Sequence, residues 1–181
     1  MTETTHGLDV EARRVTIRPI VGDDEVRACA EIMVTSDPWI TLGRTREAAL
    51  AALRDREAQE VYVAVHDEGV VGFVIVVVKG AFVGYIRTIA VHADWRSRGI
   101  GRRLIWFAEE RIFRDSPNVF ICVSSFNTRA KALYERLGYE TIGELRDYIV
   151  RGHSEWLLRK TLGPLAEFRR EQTAEVARRA E

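Results

Sequence analysis

Residues 70–79, VVGFVIVVVK, constrain the fold more than any other stretch. The run is almost unbroken apolar and rich in β-branched residues. A strand of this kind, without polar alternation, needs cover on both of its faces. The chain must therefore supply packing layers to two sides of one sheet. The runs on either side, EVYVAVHD (60–67) and AFVGYIRTIAVH (81–92), also read as strands. The links between the three are short, which predicts an antiparallel meander.

The helices that could cover such a sheet are legible. DDEVRACAEIMVTS (23–36) starts with acidic residues and carries apolar positions at helical spacing. TREAALAALRDREA (45–58) opens on Thr45, a capping residue type, and is rich in Ala and Leu. From Ile100 to Phe113 the positions Ile100, Leu104, Ile105, Ala108 and Ile112 form one apolar stripe. NTRAKALYERLG (127–138) has Asn127 to cap it and Gly138 to stop it. VTIRPI (15–20) and VFICVS (119–124) read as further strands, and YETIGELRDY (139–148) with SEWLLRKTL (154–162) as a closing hairpin. The order is β-α-α-β-β-β-α-β-α-β-β: a mixed α/β fold with a largely antiparallel sheet of about seven strands flanked by helices. Residues 1–14 are expected to be a flexible tail, 15–162 the domain, and 163–181 a helical or frayed tail.

A chain of 181 residues fits one domain with short extensions. Lys and Arg total 27, as do Asp and Glu, so the net charge is zero. That balance argues against a general nucleic-acid binder. Cys29 and Cys122 are the only cysteines and lie far apart, which argues against a disulfide framework or a metal site. The N-terminus lacks the apolar core of a signal peptide, and the longest fully apolar run, Phe73 to Val78, is far below the roughly 20 residues of a membrane span. The expectation is a cytoplasmic protein with no membrane partner.

WRSRGIGRRL (95–104) joins a strand to a helix. The first N–H groups of a helix have no partner inside it, and the helix dipole adds partial positive charge there. Gly99 and Gly101 let a ligand approach the backbone, and Arg96 and Arg98 add charge. A tight turn with solvated arginines explains the same residues. A GxGxxG fingerprint fails at Leu104, and no GxxxxGK[ST] pattern is present.

RSRGIG (96–101) resembles the acyl-CoA loop of the GNAT acetyltransferase superfamily, whose pattern is [Q/R]-x-x-G-x-[G/A]. SSFNTRAKALYERLGYE (124–140) resembles a second signature of that family: an Asn, a Tyr seven residues on, then Leu-Gly-Tyr. Here these are Asn127, Tyr134 and Leu137-Gly138-Tyr139. With the element order, the resemblance covers roughly residues 15–162. It implies that the amides of Ser97, Arg98, Gly99, Ile100, Gly101 and Arg102, beside Arg96, hold the pyrophosphate of acetyl-CoA. It implies that Ile89, Ala90 and Val91 pair with the pantetheine arm near a β-bulge. Asn127 would contact pantetheine and Tyr134 would protonate the departing thiolate. Independently of the family, seven residues are about two helical turns, so Asn127 and Tyr134 share a helix face.

The acceptor amine must lose a proton before it attacks. Family members that acetylate ribosomal proteins or protein N-termini carry a Glu five residues before the Asn, and this chain has Cys122 there. A small amine or amino-acid-like acceptor is therefore the first expectation, and a peptide or protein amine the alternative. The candidates for the base are Asp37, Tyr85, His92, Asp147 and Glu155. Asp37, Trp39 and Tyr85 are candidates for holding the acceptor. Cys122 sits in an apolar strand and reads as a small buried hydrophobe, which argues for direct attack in a ternary complex over an acetyl-cysteine relay. A CoA-binding module without turnover is the rival function. A homodimer is among the assemblies the sequence leaves open.

Overall fold

The computed structural model describes residues 14–67, 69–80 and 83–180. The expected N-terminal tail lies almost wholly outside the described residues. The strands are β1 (Thr16–Pro19), β2 (Gln59–His66), β3 (Gly69–Val77), β4 (Tyr85–Val91), β5 (Asn118–Ser124), β6 (Glu140–Leu145) and β7 (Glu155–Thr161). The helices are α1 (Gly22–Val34), α2 (Arg46–Arg54), α3 (Ile100–Ile112), α4 (Thr128–Arg136) and α5 (Leu165–Ala180), with a single 3₁₀ turn at Ala93–Trp95. The strands form one seven-stranded sheet in the order β1-β2-β3-β4-β5-β7-β6. Every neighbouring pair is antiparallel except β4 and β5, which run parallel.

β3 has the double cover its sequence demands. Val74 and Val76 face a core built with Leu104, Ile105, Ala108 and Ile112 of α3. Phe73 and Ile75 face the opposite core, built with Cys29, Ile32 and Met33 of α1 and with Leu53 of α2. The four β3 side chains are fully buried. Each contributes roughly 1.5–3 kcal/mol by leaving water.

Several element ends differ from the sequence reading, β6 stopping at Leu145 rather than 148 and α1 at Val34 rather than 36 among them, and two have a visible reason. α2 ends at Arg54 rather than 58, because the Gln59 side chain at the start of β2 donates to the Ala52 and Asp55 carbonyls at 2.5 and 2.8 Å. Carbonyls at a helix end need such donors, and Gln59 meets that need. β4 begins at Tyr85, just past Gly84, whose φ of +89° ends the preceding turn. Residues 81 and 82, expected in the strand, lie outside the described residues.

Candidate active site

β4 and β5 hold together only briefly. Their pairing is Tyr85 with Phe120 and Ile86 with Ile121, and then the strands diverge. Opposite β3, Ile75 pairs with Thr88 and Val76 with Ile86, so Arg87 is the extra residue of a β-bulge. Beyond it, the His92 N–H donates to the Val71 carbonyl at 2.9 Å. Antiparallel alternation then turns the N–H and C=O groups of Ile89 and Val91 away from β3, toward the gap, while Ala90 bonds β3. The splay thus leaves a stretch of main chain able to accept an extended ligand as an added strand.

A cavity of about 110 Å³ occupies the gap. Its walls include Tyr85, Thr88 and Ile89 of β4, Cys122 and Ser124 of β5, Asn127 and Tyr134 of α4, and Glu155 of β7. Pro38, Trp39 and Leu42 from the loop after α1 line it, as do Tyr148 and Ile149 from the β6–β7 loop. Tyr148 and Ile149 are 62% and 52% exposed, so apolar lining groups stand in water on the β6–β7 side, and Ile40 of the loop after α1 is 56% exposed without lining the cavity.

Asn127 caps α4, its Oδ1 accepting from the Ala130 N–H at 3.2 Å. Its own N–H donates to the Ser124 carbonyl at 2.8 Å, which ties the cap to the end of β5. Tyr134 belongs to the core and also lines the cavity; it is only 6% exposed. Burial pushes its phenol well above the ordinary range. Burial disfavours the phenolate, so the hydroxyl keeps its proton.

The glycine loop presents backbone amides ahead of the α3 ladder. Ser97 has φ +64° and Gly99, the N-cap of α3, has φ +81°. The first α-helical bond of α3 is Arg103 N–H to the Gly99 carbonyl, so the amides of Ile100, Gly101 and Arg102 precede the ladder. A Cβ added to Gly101 would meet only Val91 Cγ2, at 3.8 Å, so the approach to these amides is open. The arginines divide. Arg96 donates to the Val91 carbonyl at 3.1 Å and to Ser36 Oγ at 2.8 Å, bracing the loop against β4 and the turn after α1. Arg103 donates to the Val15 carbonyl at 2.6 Å. Arg98 lies over the Trp95 ring and Arg102 over the Trp106 ring. Arg129 of α4, which the sequence reading passed over, donates to Ser97 Oγ at 2.8 Å and brings another guanidinium to the loop.

The base candidates separate. Asp37 is exposed, accepts from Thr41 Oγ1 at 2.8 Å, and does not line the cavity. His92 accepts from the Asp94 N–H at 3.3 Å in the 3₁₀ turn, outside the cavity. Asp147 accepts from the Gly152 N–H at 2.6 Å and folds the β6–β7 loop. Tyr85 lines the cavity, but burial, then the Cys122 thiol it hydrogen-bonds, push its phenol up, which makes it a poor proton acceptor. Burial likewise raises the Cys122 thiol, against the opposing effect of Tyr85, and a neutral thiol is a poor nucleophile. Glu155 lines the cavity and is 3% exposed. Among the described residues, no group of three or more His, Cys, Asp or Glu residues could hold a metal ion, and no helix is long and apolar enough to cross a membrane.

Known proteins share this architecture. A segment of a Mycobacterium leprae protein is 38% identical over 76 residues, 41% of this chain but only 21% of that protein. The N-alpha-acetyltransferase RimI of Mycobacterium tuberculosis is 29% identical over 164 residues, covering 86% of this chain and 98% of its own. Among solved structures, the ribosomal-protein-S18-alanine N-acetyltransferase of Escherichia coli superposes with a TM-score of 0.66 at 18% identity, over 83% of this chain and 95% of that one. An aminoglycoside 6'-N-acetyltransferase solved with coenzyme A gives 0.64 at 15% identity, over 82% and 98%. At such identities these two structures speak for the fold. The model of the acetyltransferase (GNAT) family matches residues 26–139, well over half of the chain. This chain belongs to the GNAT acetyltransferase family, and its enzyme class is acyltransferase.

Proposed function

We propose that the protein transfers an acetyl group from acetyl-CoA to a primary amine, with Tyr134 as the proton donor to the leaving thiolate. The observation that carries this reading is the splay of β4 from β5, with a buried phenol at its wall and an open amide cradle at the head of α3. The residues fit acetyl-CoA in three places. The amides of residues 97–102 suit a pyrophosphate, with Arg98, Arg102 and Arg129 nearby. The gap-facing main chain of Ile89 and the Val91 N–H suit the amides of pantetheine, the Val91 carbonyl already accepting from Arg96. The thioester would then lie beside the bulge at Arg87, within reach of Asn127 and Tyr134. An amide aimed at the thioester oxygen stabilises the charge that develops there, an effect worth about 2.7–4 kcal/mol where one donor has been removed from such a site.

For the acceptor, the support favours the α-amine of a peptide over the small amine first expected. The M. tuberculosis relative, similar over nearly its whole length, is an N-alpha-acetyltransferase. The exposed apolar lining groups Tyr148 and Ile149 suit the first side chains of a peptide, whose chain would continue into solvent. The test is thiol release from acetyl-CoA with a panel of small amines, peptides with free N-termini, and the same peptides N-terminally blocked. Release with free but not blocked peptides supports the reading. Release with small amines alone restores the first expectation, and none with any amine leaves a binding module.

A further inference from the structure

We propose that the Glu155 carboxylate takes the proton from the acceptor ammonium, so that the base of this enzyme comes from β7. The proposal rests on the N-acetyl transfer argued above and names a further catalytic residue for it. Glu155 is the one acidic side chain among the described residues that line the cavity. It pairs with Ser124 across the β5–β7 ladder, and Ser124 Oγ donates to Glu155 Oε1 at 2.5 Å. That bond orients the carboxylate, and Ser124 is a positioning residue.

The lining around it is mostly neutral, of polar, aromatic and aliphatic side chains. Ser124 of β5 hydrogen-bonds it, Cys122 of β5, Tyr85 of β4 and His153 of the β6–β7 loop act on it electrostatically, and Tyr134 of α4 and Tyr148 of the β6–β7 loop line the same cavity. Arg87 also lines the cavity, but its guanidinium is held by Gln59 at 2.7 Å and stands 3.9 Å from Asp55. Burial raises the Glu155 carboxyl, and the Ser124 hydrogen bond and then His153 oppose that rise. A raised carboxylate is a stronger base, closer to the optimum for proton transfer near neutral pH.

The step balances. The ammonium gives one proton to Glu155 and becomes an amine. Its lone pair forms the N–C bond at the thioester carbon. As the C–S bond breaks, Tyr134 protonates the sulfur, and the proton then lost from the new amide nitrogen restores the Tyr134 phenol. Glu155 passes its own proton to water.

The test is the pH dependence of kcat/KM for wild type and Glu155→Gln, using the best acceptor of the amine and peptide panel. Thermal melting and acetyl-CoA binding are followed in parallel. We expect Glu155→Gln to lose about a hundredfold or more below the pKa of the acceptor amine. We expect that deficit to shrink as pH rises and the free amine appears without help. A deficit equal at all pH values would mean a structural role and would overturn the proposal, as would activity within about threefold of wild type. Should Glu155→Gln fail to fold, Ser124→Ala decides. Losing the Ser124 donor must move the acidic limb to higher pH, and an unmoved limb contradicts the proposal. A wild-type protein that acetylates no amine overturns the transfer reading itself, which separates the two failures.

Discussion

The Phe120 N–H donates to the Gly84 carbonyl at 2.8 Å, at the base of the fork where β4 and β5 part. A Cβ on Gly84 would stand 2.3 Å from the Asn118 carbonyl oxygen, and its φ is +89°. Backbone contact and backbone conformation both require glycine here. Gly84→Ala should destabilise the fold by at least about 1–3 kcal/mol, the cost of a strained backbone alone. Chemical denaturation measures it. Stability within about 0.5 kcal/mol of wild type would mean that the fork is not held here.

Gly101 offers a cleaner probe of the phosphate cradle than Gly99. Gly99 needs its positive φ, so any substitution there also strains the loop. A Cβ on Gly101 meets only Val91 Cγ2 at 3.8 Å, an ordinary contact. Gly101→Asp should leave melting of the free protein near wild type and remove the stabilisation by acetyl-CoA, because bulk and negative charge enter the anion site. Calorimetric titration with acetyl-CoA measures this, and unchanged affinity would remove the loop from the site.

Tyr148 separates acceptor binding from packing. It lines the cavity yet is 62% exposed, so Tyr148→Ala should change stability by no more than about 0.5 kcal/mol. The acceptor KM should rise severalfold with acetyl-CoA affinity unchanged. Trp39 cannot make that separation, because it lines the cavity and packs against the α1–α2 core together. Trp39→Ala should lower melting temperature and raise the acceptor KM at once.

Glu155 carries a stability signature opposite to its catalytic one. Its carboxyl is raised in the folded protein, so folding favours the protonated form. Its stabilising contribution is full below the ordinary carboxylate range and is lost as pH rises through the raised value. Glu155→Gln removes that penalty and keeps the shape. At neutral pH it should melt at or above the wild-type temperature, with the advantage fading on acidification. Differential scanning calorimetry at several pH values checks the sign.

The local parts of this site were legible in the sequence. The β3 run demanded two covering layers, and α1, α2 and α3 supply them. Helical spacing placed Asn127 and Tyr134 on one face, and both reach the cavity. What was illegible depends on pairing between distant segments. Glu155 meets Ser124 only because β7 inserts between β5 and β6, and no local spacing encodes that register. Arg96 resembled a phosphate ligand in a basic loop, but its donors brace Val91 and Ser36. Asp37 had the right charge beside a lining Trp39, yet its carboxylate turns back to Thr41. Charge and proximity along the chain do not say which way a side chain points.

The central claim, proton delivery to the leaving thiolate, rests on the Tyr134 hydroxyl. Tyr134→Phe keeps the ring against its core neighbours and removes only the donor, so little packing is lost. General acids contribute about 10²–10⁴ in rate, and the expected loss in kcat is about 10². The decisive measurement is single-turnover acetyl transfer by Tyr134→Phe, with acetyl-CoA affinity and melting temperature as controls. The account predicts that hundredfold loss with both controls near wild type. A single-turnover rate within about threefold of wild type would contradict it and leave Tyr134 as a packing residue.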